Sequence, residues 1–219
     1  MKKKQVAIYN GPGAYSYNVE KNLKFLKISF DKIGKKEIKE KLREYQILIM
    51  PGGTPAKYVS SLGKSNFYKA IKEFVFQGGK YIGICAGAYF APKECIELKR
   101  GRRVKLKGLD IINTRCVREH TRRRPGKLRK IIFKTHLIAK GYSQELDVWY
   151  HNGPAIVPRK GIKVVALYEN NLAAIVSSKY GKGKVILFGT HPEGCRKKDL
   201  HPTPKELGTL NLLKNAIDY

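Results

Sequence analysis

Tyr81-Ile82-Gly83-Ile84-Cys85-Ala86-Gly87-Ala88-Tyr89 begins as a strand and ends as a helix. The turn signal Gln77-Gly78-Gly79 precedes a short apolar run, and Ala86 to Ala91 is small and helix-compatible. Cys85 stands between them in the pattern Gly-x-Cys-x-Gly. A nucleophile needs this shape when it must stand up from a sheet, because a sharp strand-to-helix turn crowds the backbone and demands small flanking residues. The turn also aims backbone N–H groups at the place where an oxyanion forms. The start of a helix favours the thiolate. A buried structural cysteine in a glycine-rich turn fits the same pattern equally well.

A second stretch bears on that choice. Lys184-Val185-Ile186-Leu187-Phe188-Gly189 is a β-rich apolar run that ends in Thr190-His191-Pro192-Glu193-Gly194. A strand that delivers His191 to its C-terminal end, with Glu193 two residues on, supplies a base and its orienter. Cys85, His191 and Glu193 then form a nucleophile–base–carboxylate triad in chain order. Each motif alone is weak, and the pair at domain-scale separation is specific.

Together, Gly83-Ile84-Cys85-Ala86-Gly87 and Thr190-His191-Pro192-Glu193 resemble the class I glutamine amidotransferase-like superfamily. Within it the chain is most similar to the N-terminal domain family of biotin–protein ligases, which also occurs free-standing. Tyr9-Asn10-Gly11-Pro12-Gly13-Ala14, Met50-Pro51-Gly52-Gly53, the cysteine turn and Trp149-Tyr150-His151-Asn152-Gly153-Pro154 carry that likeness. The resemblance implies a flavodoxin-like three-layer α/β/α fold and a catalytic role for Cys85, His191 and Glu193. It also implies oxyanion donors at the N–H groups of Gly53 and Ala86. Asn152 and Gly153 would line the pocket facing Cys85, together with Gly52 and Tyr89. The implied chemistry is thiolate attack on an amide carbonyl by a hydrolase or amidotransferase. A small amide or carboxylate would be the substrate, and a partner enzyme subunit could take up the product. Glutamine-hydrolysing members carry a His-Gln-type pair where this chain has Ala88-Tyr89.

At 219 residues the chain suits one sizeable α/β domain, taken as 1–219, with a basic hairpin insertion at about 99–130. A hydrophobic share of 42% excludes a disordered chain. No apolar run approaches membrane-spanning length and no signal peptide follows Met1-Lys2-Lys3-Lys4, so a cytoplasmic, membrane-free protein is expected. Cys85, Cys95, Cys116 and Cys195 show no Cys-x-x-Cys spacing, so reduced thiols, no metal and no cofactor are expected. The net charge of +28 allows a solvated basic surface or contact with a polyanion such as RNA or DNA. Lysines run along the whole chain, whereas arginines gather between Arg100 and Arg129. Arg122-Arg123-Arg124, beside Pro125-Gly126, is the expected anion-binding tip.

Taken in order, the chain alternates strand and helix. Gln5–Tyr9, Lys27–Phe30 and Gln46–Met50 read as strands. Ser16–Leu26, Lys35–Tyr45, Lys57–Leu62 and Asn66–Gln77 read as helices. This predicts a mainly parallel central sheet with helices on both faces. Beyond Pro92 the runs Val104–Asp110, Ile111–Val117 and Leu128–Ala139 predict an antiparallel basic extension, and Leu207–Ile217 a closing helix. The turns at Asn10-Gly11-Pro12-Gly13 and Pro51-Gly52-Gly53, and the residues Cys85 and His191, all fall at predicted strand C-termini, where sites of such sheets gather. Gly11 and Gly13 resemble a phosphate or carboxylate cradle, although a tight turn uses the same residues. Two other classes remain open: a non-catalytic binding module on the same scaffold, and a nucleic-acid-associated protein.

Overall fold

The structure, a computed structural model, describes residues 4–63, 65–99, 102–118, 125–194, 205 and 208–219. The first part runs β1 (Lys4–Tyr9), α1 (Tyr17–Phe25), β2 (Phe30–Ile33), α2 (Lys35–Glu40), β3 (Tyr45–Met50), α3 (Pro55–Leu62), α4 (Ser65–Phe76), β4 (Lys80–Ile84) and α5 (Ala86–Phe90). The middle is β-rich: β5 (Glu94–Lys99), β6 (Arg102–Lys107), β7 (Thr114–Val117), β8 (Lys127–Phe133), β9 (Glu145–Tyr150), β10 (Ala155–Pro158), β11 (Lys163–Tyr168) and β12 (Ala173–Tyr180). The chain then enters β13 (Gly183–Phe188) and ends in α6 (Leu210–Asp218).

The sheet has a parallel half in the order β2-β1-β3-β4-β13. From β13 it continues antiparallel through β12, β11, β8 and β9. The strands β3, β4 and β13 are buried along nearly their whole length, which is why they read as continuous apolar runs rather than alternating ones. Successive residues of a strand point to opposite faces, so each strand feeds two cores. Ala7, Tyr9, Leu48 and Met50 pack with Ile38, Tyr58, Leu62 and Ile71 of α2, α3 and α4. Val6, Ile8, Ile47 and Ile49 pack on the other face with Val19 and Leu23 of α1 and Leu212, Leu213 and Ala216 of α6. The result is the three-layer α/β/α arrangement that the alternation of elements predicts.

The closing helix is tied down at its C-terminus. Lys80 Nζ donates to Ala216 O (3.2 Å) and to Ile217 O, satisfying carbonyls that have no partner within the helix. Burial, with Lys184 nearby, lowers the Lys80 ammonium to about 8. No helix among the described residues is long and apolar enough to cross a membrane.

Three local departures from the sequence reading have physical causes. The second strand forms at Phe30–Ile33, not Lys27–Phe30, because Lys27 takes a positive φ of 56° and closes α1. There the Ile28 N–H turns back to Leu23 O (2.9 Å). The predicted helix Lys35–Tyr45 stops at Glu40, tightens into a 3-10 turn at Leu42–Glu44, and releases Tyr45 into β3. The basic extension is not one hairpin: β5 and β6 form a separate two-stranded ladder, whereas β7 reaches the main sheet through β10. Arg122, Arg123 and Arg124, the expected anion-binding tip, lie outside the described residues.

Candidate active site

Cys85 sits at the step from β4 into α5 with φ 48° and ψ −97°, a conformation that L-residues with a side chain avoid. Such a residue costs about 1–3 kcal/mol and persists where its surroundings over-determine it. Its N–H donates to Phe188 O (2.9 Å) on the neighbouring strand. A Cβ on Gly87 would lie 2.1 Å from Met50 O, and one on Gly83 would lie 2.7 Å from the Gly87 backbone. The two glycines of Gly-x-Cys-x-Gly therefore let α5 settle onto β3 and β4. The Tyr81 hydroxyl locks the turn by donating to Gly87 O (2.7 Å).

The parallel register of β4 and β13 pairs Ile84 with Phe188, so the residues that follow each strand leave the sheet side by side. The His191 N–H donates to Trp149 O (2.7 Å), which fixes the backbone beyond β13 against β9. His191 Nδ1 and Glu193 Oε1 are 2.8 Å apart, with both side chains largely buried. That bond assigns a proton to Nδ1 in the neutral and the charged ring alike, so Nε2 is the nitrogen whose proton comes and goes. Nε2 is itself buried without a hydrogen-bond partner. Burial lowers the His191 pKa, but the negative charges of Glu193 and Cys85 outweigh it and hold the imidazole well above its ordinary 6.5. Cys85 and His191 both follow the C-terminal ends of paired strands, at the same end of the sheet. The Cys85 S–H points to His151 O at 3.7 Å, and Cys85 is 7% exposed.

Gly52 is what admits the histidine. A Cβ there would come within 2.8 Å of His191 Cε1 and 3.7 Å of Glu193 Oε1. Gly53 has φ 151°, and a Cβ on it would lie 1.8 Å from Gly13 O. The loops after β1 and β3 clasp one another here, through Tyr15 N–H to Gly52 O and Thr54 N–H to Gly13 O, both 2.9 Å. Gly13 has a positive φ of 90°, and Gly11 lies over the Tyr9 hydroxyl. Gly13 is therefore part of this clasp, whereas Gly11 packs on Tyr9 within its own turn. The N–H groups of Gly53 and Ala86 have no hydrogen-bond partner among the described residues.

On the other side of Cys85, Tyr89 is buried and its hydroxyl donates to Asn152 O (3.3 Å). Burial pushes the Tyr89 phenol well above its ordinary range. Asn152 takes φ 58°, and Gly153 packs so closely that a Cβ would lie 1.9 Å from Gly189 O. The Tyr150 hydroxyl donates to Gly153 O (3.0 Å), holding this turn from below.

Sequence reasoning missed two supports. Thr209 Oγ1 donates to Pro192 O (2.8 Å), and Asn18 Nδ2 donates to Gly194 O (3.3 Å). The Thr before an apolar run signals a helix start, but its hydroxyl serves the His191 loop rather than the helix. Among the described residues no cluster of three or more His, Cys, Asp or Glu side chains could hold a metal.

The model of the family described as biotin-protein ligase, N terminal, matches residues 4–115. The biotin–protein ligase of Schizosaccharomyces pombe is 28% identical over 169 residues, covering 67% of this chain but 25% of that protein. One of the subunits of the glutamine-hydrolysing GMP synthase of Saccharolobus solfataricus is 27% identical over 189 residues, covering 85% of this chain and 87% of that one. Among solved structures, a putative GMP synthase subunit from Thermoplasma acidophilum aligns over 100% of this chain and 94% of its own, with TM-score 0.67 and 15% identity. The last likeness shows that the two chains share one fold. Together with the family match, which spans β1, β3 and the cysteine turn, it leads to one assignment: the chain belongs to the biotin-protein ligase N-terminal family.

Proposed function

We propose that this protein performs nucleophilic acyl transfer on an amide, with Cys85 as nucleophile, His191 as general base and acid, and Glu193 as its orienter. One observation carries the reading: His191 is bonded through Nδ1 to Glu193 while Nε2 is buried with no nitrogen or oxygen partner, at the end of the sheet where Cys85 leaves the neighbouring strand. A buried ring nitrogen without a partner is costly unless a reacting group uses it. Cys85 gives its thiol proton to His191 Nε2, the resulting thiolate adds to the carbonyl carbon, and the N–H groups of Ala86 and Gly53 receive the oxyanion. His191 Nε2 passes its proton to the leaving amine as the C–N bond breaks. Water, deprotonated by the same nitrogen, then cleaves the thioester and restores the thiol.

The substrate class is a small amide. The S. solfataricus relative is named as glutamine-hydrolysing and as one of the subunits of its enzyme, which supports delivery of the released amine to a partner. Ala88-Tyr89 departs from the glutamine-hydrolysing pattern, and the Tyr89 hydroxyl is taken up by Asn152 O, so this chain selects a different amide. A second reading, a binding module without turnover, draws on the thiol: it is 7% exposed and bonds His151 O.

Iodoacetamide labelling with peptide mapping, run beside ammonia release from a panel of primary amides, separates the two. Catalysis requires amide turnover that His191→Ala lowers by roughly 100–10,000-fold, the usual weight of a general acid–base. A Cys85 that alkylates indifferently to His191→Ala, with no amide cleaved, would leave the binding module.

A further inference from the structure

The strongest unassigned feature lies at the end of the sheet opposite Cys85. Tyr180 pairs with Gly183 at the start of β13, whereas Cys85 lies beyond the pair Ile84–Phe188 at its other end. Here a groove of about 920 Å³ runs between the β10–β11 turn, the last residues of β12 and the 110–115 segment. A second groove of about 840 Å³ continues from it along β6, and the two share Lys72, Lys93, Glu94 and Asp110.

Cations dominate both, and the few carboxylates are already occupied. Asp110 pairs with Lys72 (3.8 Å), Glu94 with Lys105 (3.3 Å) and Glu73 with Arg43 (3.2 Å) and Lys69 (3.8 Å). Arg115, Arg159, Lys160, Lys163 and Lys179 line the first groove and pair with no carboxylate among the described residues. Lys93 and Lys107 extend the row along the second. All of these side chains are exposed. Unpaired cations in a row repel one another, and a polyanion relieves that cost by neutralising them together.

We propose that this track binds the phosphate backbone of a single-stranded nucleic acid. The cations are strung along two joined grooves rather than converged on one point, so they match a repeating charge and not a single phosphate group. They come from separate stretches of chain bordering one concavity, so a strand lying in it meets positive charge from more than one side. A duplex resting across the mouth does not. The rings nearby are engaged: Tyr180 packs edge-on against Phe76, and Tyr219 lies against His136 and under Lys184. Recognition therefore rests on phosphates and not on base stacking, which makes it independent of sequence and steeply dependent on salt. The site is separate from the cysteine turn.

The test is fluorescence anisotropy with labelled oligouridylate, with a DNA duplex and polyglutamate as competitors, across roughly 50–200 mM salt. The variant Arg159→Ala/Lys160→Ala/Lys163→Ala removes three contacts from exposed positions. It is expected to flatten the log–log salt slope by about 2 and to weaken binding about 100-fold at 0.1 M salt, at about 0.7 per phosphate on a single strand. The control Lys21→Ala/Lys24→Ala/Lys39→Ala removes the same charge from α1 and α2 and should leave binding within a few-fold of wild type. Unchanged Cys85 alkylation certifies the fold of both variants. Equal losses in the two variants, absence of oligouridylate binding, or tighter binding of the duplex would each overturn the proposal. Competition by polyglutamate as strong as by oligouridylate would also overturn it and assign the track to an acidic protein segment.

Discussion

Gly52→Ala tests the site through a single methyl group. Gly52 does not occupy the left-handed region, so alanine fits its backbone and the effect comes from contact alone. The new Cβ would stand 2.8 Å from His191 Cε1 and 3.4 Å from Nδ1. Carbon atoms rest about 3.5–4.0 Å apart, so the ring has to retreat by roughly 1 Å. It cannot do so freely, because the 2.8 Å bond to Glu193 and the buried setting of both side chains hold it. Overpacking of this kind costs about 1–3 kcal/mol, which in a chain of this length lowers Tm by roughly 2–12 °C. A displacement near 1 Å at a catalytic group costs about 100-fold in rate. The expected result is a protein that still folds but has amide turnover reduced about 100-fold and slower Cys85 alkylation. Calorimetry and timed alkylation with peptide mapping read the two effects. A variant that melts lower yet turns over substrate and alkylates at the wild-type rate would refute the reasoning.

Other outcomes follow from the same geometry. Because the folded His191 pKa is raised above 6.5, its charge contributes stability fully below that pH and loses it as pH rises through the folded value. The stability difference between wild type and His191→Gln, measured by denaturant titration, should therefore shrink from pH 6.5 upward, and a constant difference would contradict the ion pair. Glu193→Gln removes the neighbouring negative charge, so the His191 imidazole should titrate at lower pH by NMR; an unmoved titration would exclude Glu193 as its partner. Cys85 holds φ 48°, so Cys85→Gly should melt roughly 2–4 °C above Cys85→Ala, reflecting about 1 kcal/mol of relieved strain. The reverse order of melting would mean that the turn is not strained.

The parallel half of the fold was legible because β3, β4 and β13 are buried on both faces and leave unbroken apolar runs in the chain. The turn at Cys85 was legible because close backbone approach demands glycine at positions 83 and 87, and no other residue type fits. Lys27 hid the end of α1, since a lysine gives no sign of a left-handed turn. The partnership of β7 with β10 left no local trace either, because antiparallel pairing across a long connection depends on tertiary contacts. At the site, the carbonyls of Phe188, His151 and Trp149 carry no side-chain signature, so no reading of residue types reveals them. The basic track escaped notice for a related reason. Its cations are scattered from Lys93 to Lys179 among many other lysines, and only folding separates the paired from the unpaired.

The strand that leads to His191 occupies the middle of the sheet but is made long after its neighbour β4. β4 pairs with β3 on one side, and its other edge waits for β13, about a hundred residues later. At about 5–20 residues per second the wait lasts on the order of 5–20 s on the ribosome. Throughout it the apolar edge Tyr81-Ile82-Gly83-Ile84 offers unpaired backbone groups to any passing strand. The nascent chain thus holds an aggregation-prone edge open directly beside Cys85. Arrival of β13 closes that edge and, in the same event, brings His191 to the end of the sheet where Cys85 stands.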